Sequence, residues 1–200
     1  LTLDSKFATF TPPKSQLLKW VGNKQKFAGE ISKCFPANFK TFYEPFLGSG
    51  AVMATVAPQQ GIGSDVFKPL IEIWQKLKEN PYELIEWYAL RRNRIESENP
   101  VDVYEDVKAS FNNNHNGADF LYLTRTCYGG IVRFRKSDGY MSTPCGVHTP
   151  IPSSTFEKRV FEWKSRMKNV SFIHSDYKEV FGMAKNGDLI YCDPPYSHSQ

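Results

Sequence analysis

No apolar run in the 200-residue chain approaches the roughly 20 residues of a membrane-spanning helix. The first residues, 1–11, carry no apolar stretch of the kind that opens a secretory signal. Cysteine is scarce, and Cys34, Cys127, Cys145 and Cys192 stand far apart without a C-x-x-C pair. That argues against both a zinc site and a disulfide framework, and it predicts four reduced thiols in a cytoplasmic protein. The four histidines, His115, His148, His174 and His198, show no metal-ligand spacing either, so no metal is expected. There is no internal repeat. The chain is too short for two full α/β domains, yet its 40% hydrophobic content suffices for one substantial core with an inserted subdomain.

What is present is unevenly distributed. Residues 120–170 hold nine Lys/Arg against three Asp/Glu, so the rest of the chain is net negative although the whole carries +4. Residues 14–40 are a second basic stretch, whereas 79–106 are acidic despite the cluster Arg91, Arg92 and Arg94. A focused basic segment interleaved with aromatics points to a polyanion partner.

Periodicity and punctuation divide the chain. A helix is expected within 16–35, ending before Pro36; Thr41 to Leu47 reads as a strand, Gly48-Ser49-Gly50 as a tight turn and Ala51 to Ala57 as the helix that follows. Gly61 to Asp65 reads as a second strand ending in an acid, and Pro69 to Lys78 as an amphipathic helix. Two helices opened by proline follow, with Asn80 and Asn99 as N-caps, then a short helix over Asp119 to Thr126. Cys127 to Pro152 has turn residues and no helical period, which predicts a hairpin and loops. Phe156 to Met167 returns to helix, Val170 to Asp176 alternates like a strand, and Leu189 to Cys192 is the last strand. The expected fold is α/β: a doubly wound, mostly parallel sheet from 1–79 and 167–200, with 80–166 inserted as a helical and hairpin subdomain. Such a sheet needs strands beyond its last one to cover the edge, so a further segment or a partner chain is expected past Gln200.

The densest chemistry lies near that end. Asp193-Pro194-Pro195-Tyr196 directly follows the last strand, and the double proline stops the strand and stiffens the loop. The C-terminal edge of an open α/β sheet is where ligands bind. Two readings fit the tetrapeptide alone: a proline turn with a solvated acid, or a site loop presenting Asp193 and Tyr196. At the same edge the turn from Phe46 to Gly50 lets the backbone pass close to a ligand. Asp65 ends the next strand where a carboxylate can accept both hydroxyls of a ribose, and Asp176 with Tyr177 ends another, suited to an adenine amino group and its ring. Glu44 precedes the turn.

Taken together these residues resemble the Dam-like N6-adenine DNA methyltransferases of the D12, α-ordered class, across nearly the whole chain. Lys19-Trp20-Val21-Gly22-Asn23-Lys24 is similar to that family's K-W-x-G-x-K motif, Tyr43 to Gly50 to its AdoMet loop, and Asp193 to Tyr196 to its catalytic tetrapeptide. The resemblance implies S-adenosylmethionine (AdoMet) as methyl donor, held by Trp20, Lys24, Phe46, Gly48, Ser49, Gly50, Asp65, Asp176 and Tyr177, with Asp193, Pro194 and Tyr196 catalytic. Adenine N6 is a poor nucleophile because its lone pair is delocalised into the ring. If the Asp193 carboxylate and the Pro194 carbonyl each accept one N6–H, the nitrogen is drawn toward tetrahedral geometry, while Tyr196 stacks on a base flipped out of double-stranded DNA.

By the same resemblance the basic hairpin is the target-recognition region, with Arg125, Tyr128, Arg133, Arg135 and Lys136 on DNA and Arg133 in the place of a guanine-reading arginine. Gly129 stands where the family commonly has Asn, so no recognition sequence is carried over. A cognate restriction endonuclease is an implied partner. Two other functions fit parts of the pattern: a non-catalytic DNA- and AdoMet-binding fragment or half of a split enzyme, and methylation of RNA or of a protein glutamine.

Overall fold

The computed structural model describes residues 10–195; the catalytic call on Tyr196 lies outside them. The described residues fall into two compact units, one of 10–16, 22–66 and 165–195, the other of 17–21 and 67–164.

The first unit is built on a four-stranded, all-parallel sheet, as the apolar runs and alternating βα punctuation predict. Its strands are β1 (Phe42–Glu44), β2 (Gly61–Asp65), β3 (Val170–His174) and β4 (Leu189–Ile190), in the spatial order β3-β2-β1-β4. The helices of this unit are α1 (Ala28–Ser32), α2 (Ala51–Val56) and a helix over Tyr177–Met183. All six residues of α2 are buried, which explains why Ala51 to Val56 carries no charge and a single polar residue, Thr55, whose hydroxyl donates to Ala51 C=O at 2.7 Å. β2 carries glycine where another residue would not fit: a Cβ at Gly63 would lie 3.0 Å from both methyl groups of Leu47. That close approach seats the loop after β1 against the neighbouring strand, and the Leu47 N–H to Ser64 C=O bond of 2.8 Å fixes it there.

The second unit is helical: α3 (Lys68–Glu79), α4 (Pro81–Arg92), α5 (Pro100–Asn113), α6 (Gly117–Thr126) and most of α7 (Ser153–Met167), whose last residues belong to the sheet unit. The helix at Tyr177–Met183 is accordingly α8. The division assigns α3 to the helices, although its sequence position follows the first βαβ segment. Asn80 and Asn99 cap α4 and α5 as expected, their side chains accepting from Glu83 N–H (3.3 Å) and Val101 N–H (2.8 Å). α6 starts two residues earlier than its apolar pattern suggests, because the Asn116 side chain accepts from Asp119 N–H at 2.8 Å and returns a bond to the Asp119 carboxylate.

α6 is buried on nearly every side, and around it lie fully buried aromatics, Tyr88, Tyr104, Phe111 and Phe156. Trp74 and Trp163 stack at 5.5 Å, joining α3 to α7. Between α6 and α7 the backbone forms the expected hairpin, marked by antiparallel bridges Phe134 to Met141 and Cys127 to Cys145. Among the described residues no helix is long and apolar enough to cross a membrane.

Candidate active site

The site residues of the sheet unit are delivered by strand register. β1 and β4 run parallel with Tyr43 opposite Ile190, and the Tyr191 N–H bonds Tyr43 C=O at 2.9 Å. Three residues beyond that pair, past the ends of both strands, come Phe46 and Asp193, so the glycine loop and the acid both leave the C-terminal edge of the sheet.

Asp193 is held by Lys24: Nζ lies 2.5 Å from Oδ2, with both side chains about a quarter exposed or less. The same Nζ donates to Gly22 C=O at 3.0 Å, which fixes the lysine from its own loop. Gly22 has φ +75°, a conformation that costs other residues energy. Sequence resemblance gives Lys24 to the methyl donor; in the structure it is paired with Asp193.

Behind this pair sits Glu44, which sequence reasoning noticed but gave no role. It is buried, and its Oε2 accepts from Met53 N–H at 2.8 Å, in the first turn of α2. Burial holds its carboxyl well above the usual carboxylate range; the Met53 bond opposes this, and the negative charge of Asp193 adds to it. At neutral pH the immediate charge balance is therefore one cation, Lys24, against one anion, Asp193, with Glu44 shifted toward its neutral form. The signal in the sequence was an acid ending a strand just before Pro-Phe-Leu-Gly, a position whose side chain must turn back under the loop it starts.

The glycine loop itself is tight and largely buried from Leu47 to Gly50, with Phe46 half-buried. Gly48 and Gly50 have φ +47° and +62°, so both need the left-handed region that glycine enters freely. Gly48 N–H donates to Asp65 Oδ2 at 3.1 Å, which locks the acid at the end of β2 to the mouth of the loop. A carboxylate has capacity for several hydrogen bonds, so this fixed acid remains suited to hydroxyl donors.

At the end of β3, Asp176 is exposed and caps α8 by accepting Lys178 N–H at 2.9 Å. Tyr177 stacks on Phe46 with centroids 5.3 Å apart and planes 29° from parallel. Glycine backbone, two strand-end acids and an aromatic pair thus line one edge, a donor set that fits a nucleoside with a charged tail.

The helical unit holds the remaining expected residues. Trp20 is half-buried, stacked on Phe67 at 6.0 Å and edge-on to Phe120 at 5.7 Å. Arg125 turns inward: Nη1 donates to Leu17 C=O at 2.6 Å and the guanidinium lies 5.7 Å from the Phe156 ring centroid. Burial, aided by the like charge of Arg159, lowers its pKa to about 10. In this arrangement the half-buried guanidinium supports the fold from within. Tyr128, Arg133, Arg135 and Lys136 are exposed on the hairpin and its approach.

Comparison with known proteins agrees with this arrangement. Residues 20–200 match the family described as D12 class N6 adenine-specific DNA methyltransferase. The chain is 31% identical over 189 residues to the retron Ec67 DNA adenine methylase of Escherichia coli, covering 91% of this chain and 64% of that protein. It is 28% identical over 189 residues to the type II methyltransferase M1.LlaDCHI of Lactococcus lactis, covering 89% of this chain and 64% of the relative. With the DNA N-6-adenine-methyltransferase of Escherichia phage P1 it shares 29% identity over 188 residues, 90% of this chain and 24% of that protein. The chain therefore spans a little under two thirds of the length of the first two. Fold, motif order and family match converge: the chain belongs to the D12 class of N6 adenine-specific DNA methyltransferases.

Proposed function

We propose that this chain carries the catalytic machinery for transfer of a methyl group from AdoMet to adenine N6 in double-stranded DNA. The observation that carries the reading is the register of β1 and β4, which brings Asp193, clamped by Lys24, beside the glycine loop of a nucleoside-binding edge. AdoMet, when bound, supplies an electrophilic methyl on a sulfonium; the loop from Phe46 to Gly50, Asp65, Asp176 and Tyr177 would hold it. Asp65 orients ribose hydroxyls from its fixed position on Gly48 N–H.

Asp193 Oδ and the Pro194 carbonyl accept the two N6 hydrogens, which localises the lone pair and aims it at the electrophile. The acid needs no great basicity, because the N6 proton becomes acidic only as the new C–N bond forms. Lys24 keeps the carboxylate pointed through that step. Flipping of the target base gives Asp193 access to an amine that the duplex otherwise pairs. Tyr128, Arg133 and Lys136, exposed on the basic hairpin and its approach, meet the duplex. A cognate restriction endonuclease belongs to the same proposal, suggested by the type II designation of the Lactococcus lactis relative.

The test is transfer of tritiated methyl from AdoMet to duplex DNA, followed by digestion to nucleosides. Label in N6-methyl-2′-deoxyadenosine is expected. Label in cytosine, RNA or the protein's own glutamines overturns the adenine assignment. Binding of AdoMet and of duplex by titration, without transfer, would instead select a binding module.

A further inference from the structure

The two outer arginines of the recognition hairpin are not equivalent. Phe134 pairs with Met141 across the ladder and packs its ring on Phe67 (5.4 Å) and Phe111 (6.3 Å), so strand alternation places Arg133 and Arg135 on the opposite, exposed face. Arg135 is engaged within the hairpin. Its Nε and Nη2 donate to Asp138 Oδ1 (3.1 Å) and Oδ2 (2.6 Å), a two-pronged pair, and its guanidinium carbon lies 4.2 Å from the centroid of the Tyr140 ring.

The same turn is tied by its backbone. Arg135 N–H donates to Tyr140 C=O and Gly139 N–H to Arg135 C=O, both at 2.9 Å, and Asp138 Oδ1 accepts Tyr140 N–H at 3.1 Å. Gly139 makes the turn possible with φ +69°, and a Cβ there would meet no atom within 4 Å, so conformation and not space selects glycine. Arg133 differs. Its backbone joins the ladder through Thr143 Oγ1 (2.8 Å) and Ser142 N–H (2.9 Å), while its guanidinium has no partner among the described residues.

We infer that residues 135–140 are a preformed clip in which Asp138 withholds Arg135 from DNA, leaving Arg133 as the hairpin arginine that engages a phosphate or a guanine edge. The inference rests on the DNA reading above and adds to it a positioning residue, Asp138. An exposed ion pair is weak by itself, but a planar guanidinium fixed at two oxygens over a ring is pre-organised, and a phosphate must displace the carboxylate to recruit it. Neutralising one of two neighbouring cations lowers sequence-independent attraction to the backbone, so base contacts account for a larger share of binding at this hairpin.

The experiment measures affinity of the full chain for a fluorescent mixed-sequence duplex as a function of salt, where each phosphate contact contributes a slope of about 0.9 in log–log form. R133A is expected to flatten the slope by about that amount and R135A by less than half of it. D138N, which keeps an acceptor for Tyr140 N–H, is expected to steepen the slope by about 0.9 and to raise affinity several-fold at low salt. D138N combined with R135A returns to the wild-type slope. Thermal melts of each variant show that the hairpin's unit remains folded, and loss of fold alone does not steepen a salt slope. Equal flattening by R133A and R135A, or a D138N slope unchanged from wild type, overturns the clip. Absence of salt-dependent duplex binding by the wild-type chain would overturn the DNA reading itself.

Discussion

The sheet unit and the helical unit position their polar groups by different means. At the sheet edge three acids are set by backbone: Asp65 by Gly48 N–H, Glu44 by Met53 N–H, Asp176 by Lys178 N–H, each 2.8–3.1 Å, while Asp193 is held by the Lys24 side chain. On the hairpin the charges are set by other side chains, as Arg135 is by Asp138 and Tyr140. Backbone donors are fixed by the fold and hold an acid in a constant place, which suits chemistry that tolerates little displacement. Side-chain pairs at the surface can be exchanged for another charged group, which would suit the proposed encounter with DNA. The comparison teaches that the strand-end acids around Asp193 are fixed by backbone, while the hairpin's charges rest on exchangeable side-chain pairs.

Removing the central acid tests the rigid half most severely. Asp193→Ala is expected to lower methyl transfer by roughly 10³-fold, with AdoMet still bound, when followed by label incorporation and calorimetric titration. Activity within tenfold of wild type would mean that the sheet edge does not use this carboxylate.

The helical half is broken most sharply in its core. Trp163→Ala leaves Trp74 without its stacked partner and is expected to cost about 3–5 kcal/mol in urea melts. A separate early transition carrying the helical signal would show that the two units unfold independently.

Glu44 sharpens the contrast through pH. Its folded pKa is raised, so from the usual carboxylate range upward the folded protein keeps a proton that the unfolded chain has lost. Stability from this group is full below that range and falls as pH rises toward the raised value, by at most about 1.4 kcal/mol per pH unit. Glu44→Gln removes the proton exchange and should flatten the decline between pH 5 and 8 in urea melts. An unchanged slope would mean that Glu44 is ionised in the folded state.

The smallest expected effect is at a helix start. Asn116→Ala deletes the cap of α6 and should cost about 1 kcal/mol by the same melts, with methyl transfer at permissive temperature unaltered.

Much of the sheet edge was legible because apolar strands, glycines and prolines punctuate it, and each strand-end acid follows such a run. The capping asparagines Asn80 and Asn99 were legible for the same local reason. Arg125 was not. In a list of residues it belongs to the basic segment, but α6 is buried nearly all round, so a cation late in that helix meets interior carbonyls and rings before it meets solvent. Glu44 was invisible as a functional group because its state depends on burial and on Asp193, both long-range consequences of folding. The unequal fates of Arg133 and Arg135 depend on a turn geometry that alternation alone does not specify.

One feature of the sheet edge bears on what the site refuses. Lys24 balances Asp193, and burial favours the uncharged form of Glu44, so this corner has little net charge to offer a visiting amine. An ammonium ion, such as a protonated lysine side chain or a polyamine, gains no electrostatic foothold there and has no lone pair to present. An uncharged aromatic amine gives up less on entry and can use both acceptors. Under the proposed reaction the lysine would act as a filter on protonation state, selecting its guest by what the guest does not carry.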